Sequence, residues 1–337
     1  MAYLQRLTTG RLGKARAERL LRTAESVAYW TVGAPLTSLL PASLAYRTAC
    51  WRGDWSLRHR TEQRSEIVRN LRQVLGDELS EEEAERQARE FFRMRSCEVI
   101  DVMRLRGRAR SLGKLVEIRG REHLEAALAG GKGAVLCTAH FGSYNAAFSL
   151  LHASGFPLTS TGRSFSHEAG GSSAEQKLWA FVFDRRLQRH RQRPGIEFRP
   201  GRLQVAAQVA VALRANEVVT FSSDAPPLEA DRARAVEVTL LGRQASLLPG
   251  VVTLAQLTGA PVLMVFMHRS ADYRHQVLEI SAPVRVEGDP ATAFRSCVAA
   301  MDTAIRTKPA HWVYWADTDD LVSLGILPAA PAGLAST

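Results

Sequence analysis

The stretch CTAHFGSYNA, residues 137–146, follows directly on the apolar run GAVL. An apolar strand ending in Ala-His-Phe-Gly delivers an imidazole to the carboxyl edge of a sheet, where open α/β sheets hold their ligands. His140 at that edge can serve as a general base. Gly142 lets the chain turn into a following helix, whose first backbone N–H groups then face the same crevice and can meet a developing negative charge. Ser143 lies within reach of this turn and is a candidate for substrate contact. The competing reading is a hydrogen-bonded structural histidine. Cys137 reads as a small buried hydrophobe rather than a nucleophile, because a covalent site ordinarily draws its base from elsewhere in the fold.

These residues need a sheet to hold them, and the chain after residue 113 has that texture. Strands are expected at Val116 to Arg119, Ala134 to Thr138, Pro157 to Thr161, Glu217 to Ser222, Val236 to Leu241, Pro261 to His268 and Gln276 to Ile280. Helices fit between them at Glu122 to Ala129, Tyr144 to Ala153, Ala174 to His190, Arg202 to Ala215, Pro249 to Thr258 and Ala291 to Lys308. Before residue 107 the pattern is helical. Ser80-Glu-Glu-Glu83 has capping-box spacing and opens a segment whose apolar residues recur at three and four through Arg106. The fold class is therefore α/β: a twisted, mostly parallel or mixed sheet flanked by helices, with an N-terminal helical region. Residues 1–112 form that region, 113–323 the core, and 324–337 a flexible tail, with a basic linker at Gly107 to Lys114.

The totals bound the function more loosely. The 337 residues are 46% hydrophobic, enough for a substantial core. Lys and Arg number 44 against 34 Asp and Glu, a net charge of +10 that attracts anions. Four scattered cysteines, with no CxxC pair, fit a reducing cytosol rather than a secreted disulfide scaffold. Residues 26–46 are uncharged but hold two prolines and seven Ser, Thr or Tyr residues. That composition favours a buried or interfacial helical hairpin over a membrane span. The N-terminus has no signal-peptide pattern. The sequence lacks a P-loop and a GxGxxG loop, so neither a nucleotide nor a metal cofactor is implied.

GKGAVLCTAHFGSYNAAFSLL resembles the central motif of the bacterial lipid A biosynthesis (lauroyl and myristoyl) acyltransferases, a family that includes the phosphatidylinositol mannoside acyltransferases. RSEIVRNLRQVLGDELSEEEAERQAREFFRMRSCEVID (64–101) resembles its N-terminal helices, and VEVTLLGRQASLLPGVVTLAQLTGAPVLMVFMHR (236–269) its second strand-helix-strand segment. The resemblance runs from about residue 12 to 318. It implies that His140 deprotonates an acceptor hydroxyl, which attacks a thioester, while an acid orients the imidazole. The family places that acid five positions after the histidine, where this chain has Asn145. An amide can accept from Nδ1–H but supplies no charge.

The resemblance also places Asp224, in TFSSDAPP, at the rim of the site, which makes it the first candidate for a surrogate acid. A turn-forming Asp before proline is the plainer alternative. Glu168, beside His167 on a polar loop, is the second candidate. Arg163, in TGRSF, matches a family arginine expected to meet phosphate or the oxyanion, or else is a solvated loop residue. Arg185, Arg186, Arg189, Arg191 and Arg193 form the densest basic run. It reads as a solvated helix end or as a docking surface for an acidic carrier protein, an anionic lipid surface or RNA. PAHWVYWADTDD (309–320) resembles the family's closing tryptophan segment, but Asp317, Asp319 and Asp320 replace its usual basic residues.

The expected function is acyl transfer from an acyl-carrier-protein or acyl-CoA thioester to a hydroxyl or amine, on a specialised metabolite or a lipid. A weakened His-Asn pair would suit an already reactive amine. The alternatives are aminoacyl transfer from an aminoacyl-tRNA, and a catalytically silent protein that binds acyl donor or carrier protein. The expected location is the cytoplasm, with peripheral attachment to an anionic inner membrane face as an option.

Overall fold

The computed structural model describes residues 24–25, 27–162, 196–197 and 204–329. Its strands are β1 Val116–Arg119, β2 Ala134–Thr138, β3 Leu158–Gly162, β4 Ile196–Glu197, β5 Val218–Ser222, β6 Val236–Leu240, β7 Arg243–Leu247, β8 Val262–Arg269 and β9 Gln276–Val284. Seven of them form one sheet in the order β1-β9-β8-β2-β5-β3-β4, and β6 pairs with β7 apart from it. Only β8 and β9 run antiparallel within the large sheet.

The central strand β2 is buried at all five residues. Its alternation divides the core in two. Val135 and Cys137 join Val219, Phe221, Val262 and Met264 in one cluster, and Ala134 and Leu136 join Val218, Leu263 and Val265 in the other. Both faces are therefore covered by helices, as a parallel sheet requires. Leu124 and Leu150 seal the second face, while Leu213, Val251 and Phe294 seal the first.

The N-terminal helices are α1 Ala34–Leu39, α2 Ala42–His59, α3 Thr61–Leu75 and α4 Glu81–Gly113, and α5 Arg121–Ala129 follows β1. The hydroxyl of Ser80 accepts the Glu83 backbone N–H at 3.1 Å, so the capping serine starts α4 where the sequence puts it. α2 and α4 cross closely. A Cβ at Gly53 would fall 2.6 Å from the Arg93 Cα, so only glycine permits this approach. The uncharged stretch 26–46 is broken at Leu40, which is extended before Pro41. Trp30 and Ala34 pack on Val99 and Met103 of α4. Among the described residues no helix is long and apolar enough to cross a membrane.

Three expectations need correction. The basic stretch expected as a linker is helical, since α4 continues through Gly113. Val236 to Leu241 ends a residue early in a two-residue turn, Leu241 and Gly242, both at positive φ, and β7 returns from it. The Leu241 N–H donates to Asp302 at 2.5 Å, which holds this buried leucine in the unfavourable conformation. The tail is not loose from residue 324: Leu324, Ile326 and Leu327 are buried in the main core. The helix expected at Ala174 to His190 lies outside the described residues.

Candidate active site

Strand pairing brings the key groups together. In the parallel register of β2 and β5, Thr138 sits opposite Ser222. Two residues past the end of each strand are His140 and Asp224. Asp224 is fully buried, whereas the His140 side chain keeps 24% of its surface exposed. The carboxylate grips the histidine twice. Oδ2 accepts the His140 backbone N–H at 2.8 Å, and Oδ1 lies 2.7 Å from Nδ1. Oδ2 also accepts the indole N–H of Trp312 at 2.8 Å. A carboxylate that accepts two N–H donors on one oxygen faces Nδ1 as an acceptor, so Nδ1 carries the proton in this contact.

Two aromatic rings frame the imidazole. Tyr144 and Tyr314 stand edge-on to it with centroids 5.2 and 5.4 Å away. The Tyr314 hydroxyl is 3.3 Å from Nδ1 and so shares that proton with Asp224. Burial raises the Tyr144 phenol far above its ordinary value, with the nearby Glu98 charge adding to the effect. It is therefore a neutral hydroxyl at any physiological pH.

The turn after His140 is held by backbone bonds to the C-terminal segment. Phe141 bridges Trp312, Gly142 N–H donates to the His311 carbonyl at 2.8 Å, and Val313 N–H donates to the His140 carbonyl at 3.1 Å. Gly142 has φ +58°, and a Cβ there would meet the Met267 carbonyl oxygen at 1.8 Å. His311 stacks on Phe141 and accepts the Arg269 backbone N–H through Nε2. Burial, helped by the neighbouring cations Lys308 and Arg269, lowers its pKa well below that of a free imidazole.

Ser143 is engaged within the protein. It is fully buried, donates to Asp101 at 2.6 Å and accepts from Arg269. Asp101 takes the Tyr46 hydroxyl on its other oxygen at 2.6 Å and is ion-paired to Arg269. One buried carboxylate thus joins α2, α4, the motif turn and the end of β8. Asn145 is buried at the start of α6 (Tyr144–Ala153). The carboxylate on His140 Nδ1 is that of Asp224. Cys137 is buried, its thiol pushed well up by its bond to Cys297 and by burial, which suits packing rather than attack.

Arg163, Glu168, Arg185, Arg186, Arg189, Arg191 and Arg193 lie outside the described residues. Sequence reasoning missed Tyr314, Trp312, Asp101 and Glu98. The last two carried a signal, because they are acids set among the buried residues Cys97, Val99, Ile100 and Val102 of an amphipathic helix. Burial pushes the Glu98 carboxyl up, although Arg95 pairs with it at 2.8 Å.

A buried acid holding an imidazole at the carboxyl edge of paired strands is hydroxyl-activating geometry. Comparison with known families agrees: the family model of the bacterial lipid A biosynthesis acyltransferase matches residues 14–316. The chain belongs to this family. No curated protein sequence matches it. In this acyltransferase Asp317 has a local task, since its carboxylate caps the helix Thr318–Ser323 by accepting the Asp320 N–H at 3.0 Å.

Proposed function

We propose that this acyltransferase moves an acyl group from a thioester, on acyl-carrier protein or coenzyme A, to a hydroxyl, with His140 as general base. The observation that carries the reading is the buried Asp224 carboxylate on Nδ1. Nε2 takes the acceptor proton as the oxygen attacks the thioester carbonyl. Asp224 offsets the imidazolium charge, and the tetrahedral intermediate collapses as the thiolate leaves with the proton from Nε2. Arg163 is the residue assigned to the oxyanion or a substrate phosphate by family likeness.

With a carboxylate on the imidazole, Asn145 ceases to mark a weakened base. The amine-acceptor and silent-binding readings lose the premise that favoured them. A lipid-borne acceptor gains support from a strip of exposed apolar side chains, Val32, Leu36, Leu39, Leu44 and Trp51, on the N-terminal helices of a chain with net charge +10. Such a strip suits peripheral contact with an anionic membrane.

Mass spectrometry of donor discharge tests the chemistry. Wild type should consume acyl thioesters in the presence of hydroxyl acceptors, and His140→Ala should not. Discharge of charged tRNA alone, or of nothing, would sink the reading. Flotation with anionic vesicles tests the membrane contact, which requires co-migration at low salt.

A further inference from the structure

The crossing of α2 and α4 is a ladder of side-chain pairs. Tyr46 bonds Asp101, Cys50 meets Cys97, and Asp54 holds Arg93 through two bonds of 2.8 and 2.7 Å. Each step forward of four residues on α2 matches a step back of four on α4, as neighbouring antiparallel helices require. Gly53 allows the backbones to touch at this level. The middle rung therefore consists of two free thiols with sulfurs 3.9 Å apart. Sulfurs this close need only a small rotation of their side chains to approach the S–S distance of a disulfide.

The two sulfurs differ in access and charge. Cys50 is half-buried and Cys97 buried. The hydrogen bond from Cys97, followed by the nearby Arg93 and Arg269 charges, holds the Cys50 thiol below its ordinary value, while burial pushes Cys97 well up. A half-buried cysteine that an oxidant can approach, with a buried cysteine 3.9 Å behind it, is the arrangement of an attacking and a resolving cysteine.

We propose that Cys50 and Cys97 form a two-thiol oxidation site for hydroperoxides, with Cys50 the attacking sulfur and Cys97 the resolving one. The Cys50 thiolate attacks a peroxide oxygen, the O–O bond breaks, and the other oxygen leaves protonated as water or an alcohol. The Cys97 sulfur then attacks the sulfenic sulfur; the S–S bond forms, the S–O bond breaks, and hydroxide leaves as water with the Cys97 proton. Two thiols are oxidised and one peroxide is reduced. The new bond braces α2 against α4 one helical turn from Asp101, the residue that anchors Ser143 of the motif turn.

A second thiol pair supplies an internal control. Cys137 and Cys297 also share one cluster, yet both are buried in the main core, out of reach of an oxidant. The test treats the reduced full chain with hydrogen peroxide under native conditions, blocks remaining thiols, and maps peptides without reductant. The expected product is a dithiothreitol-sensitive peptide joining Cys50 to Cys97, with Cys137 and Cys297 still reduced. Cys97→Ser should stop at a sulfenic acid on Cys50 that dimedone captures, and Cys50→Ser should take no label at Cys97. Cys50 left unmodified, Cys50 advancing to sulfinic acid without a crosslink, or first oxidation at Cys97 or Cys137 would each overturn the proposal.

Discussion

Trp312 and His140 meet on one oxygen of Asp224, the indole and the backbone N–H each donating to Oδ2 at 2.8 Å. The carboxylate is thus positioned by groups from two distant parts of the chain. Its other oxygen is left to the imidazole. In Asp224→Asn, either orientation of the amide turns an NH2 toward an N–H donor or toward Nδ1. Turnover should fall by roughly 10⁴, the scale of the corresponding change in a Ser-His-Asp triad, with the fold retained by circular dichroism. Asn145→Asp, which restores the family motif, should raise activity by no more than a few fold, because Nδ1 is already engaged. Steady-state kinetics of the two variants separate the roles.

Asp101 is a fully buried acid with Tyr46, Ser143 and Arg269 on its two oxygens. Asp101→Ala leaves the Arg269 guanidinium buried and uncompensated, which should cost about 3–5 kcal/mol in urea unfolding. Tyr46→Phe removes one neutral donor and should cost about 1–3 kcal/mol. A loss under 1 kcal/mol for the first would show that Arg269 finds another partner.

Gly142→Ala adds a single carbon where the Met267 carbonyl already stands, at a φ of +58°. The left-handed conformation alone costs about 1–2 kcal/mol, and the clash forces the turn away from β8. Activity should drop by far more than global stability explains, since the displaced turn carries His140. Comparing the melting midpoint with kcat checks this.

His311 gives stability a pH dependence. Its folded pKa lies below the ordinary imidazole value of 6.5, so below that pH the unfolded chain binds a proton that the folded one refuses. Stability is full above 6.5 and should fall on acidification by up to about 1.4 kcal/mol per pH unit until the folded pKa is reached. Denaturant melts on either side of 6.5 should show a smaller fall for His311→Gln. Equal slopes would mean that other groups set the acid limb.

The sequence exposed the scaffold better than the contacts. β1, β2 and α6 begin and end where periodicity puts them, because continuous apolar runs and a post-glycine helix start are local signals. β7 escaped notice because Arg-Gln-Ala-Ser-Leu has no strand alternation of its own and folds back only through the Leu241-Gly242 turn. At the site, His140 was legible from its position after a strand. Asp224 was legible only by family likeness, and Tyr314 not at all, since their nearness to the imidazole comes from strand order and from the return of the C-terminal segment. For Ser143, nothing local announces that Asp101, on a helix ending before the sheet begins, will claim its hydroxyl.

The pairing of β2 with β5 sets how far apart His140 and Asp224 stand, whatever length of chain runs between the two strands. That interval is open to change. Lengthening or shortening a surface loop within it leaves the dyad intact as long as Thr138 still faces Ser222. A slip of one residue along either strand would turn the acid to the opposite face of the sheet and abolish the dyad. The geometry is thus indifferent to insertions and intolerant of register errors, so substrate range can diversify in the connecting segment without redesign of the base.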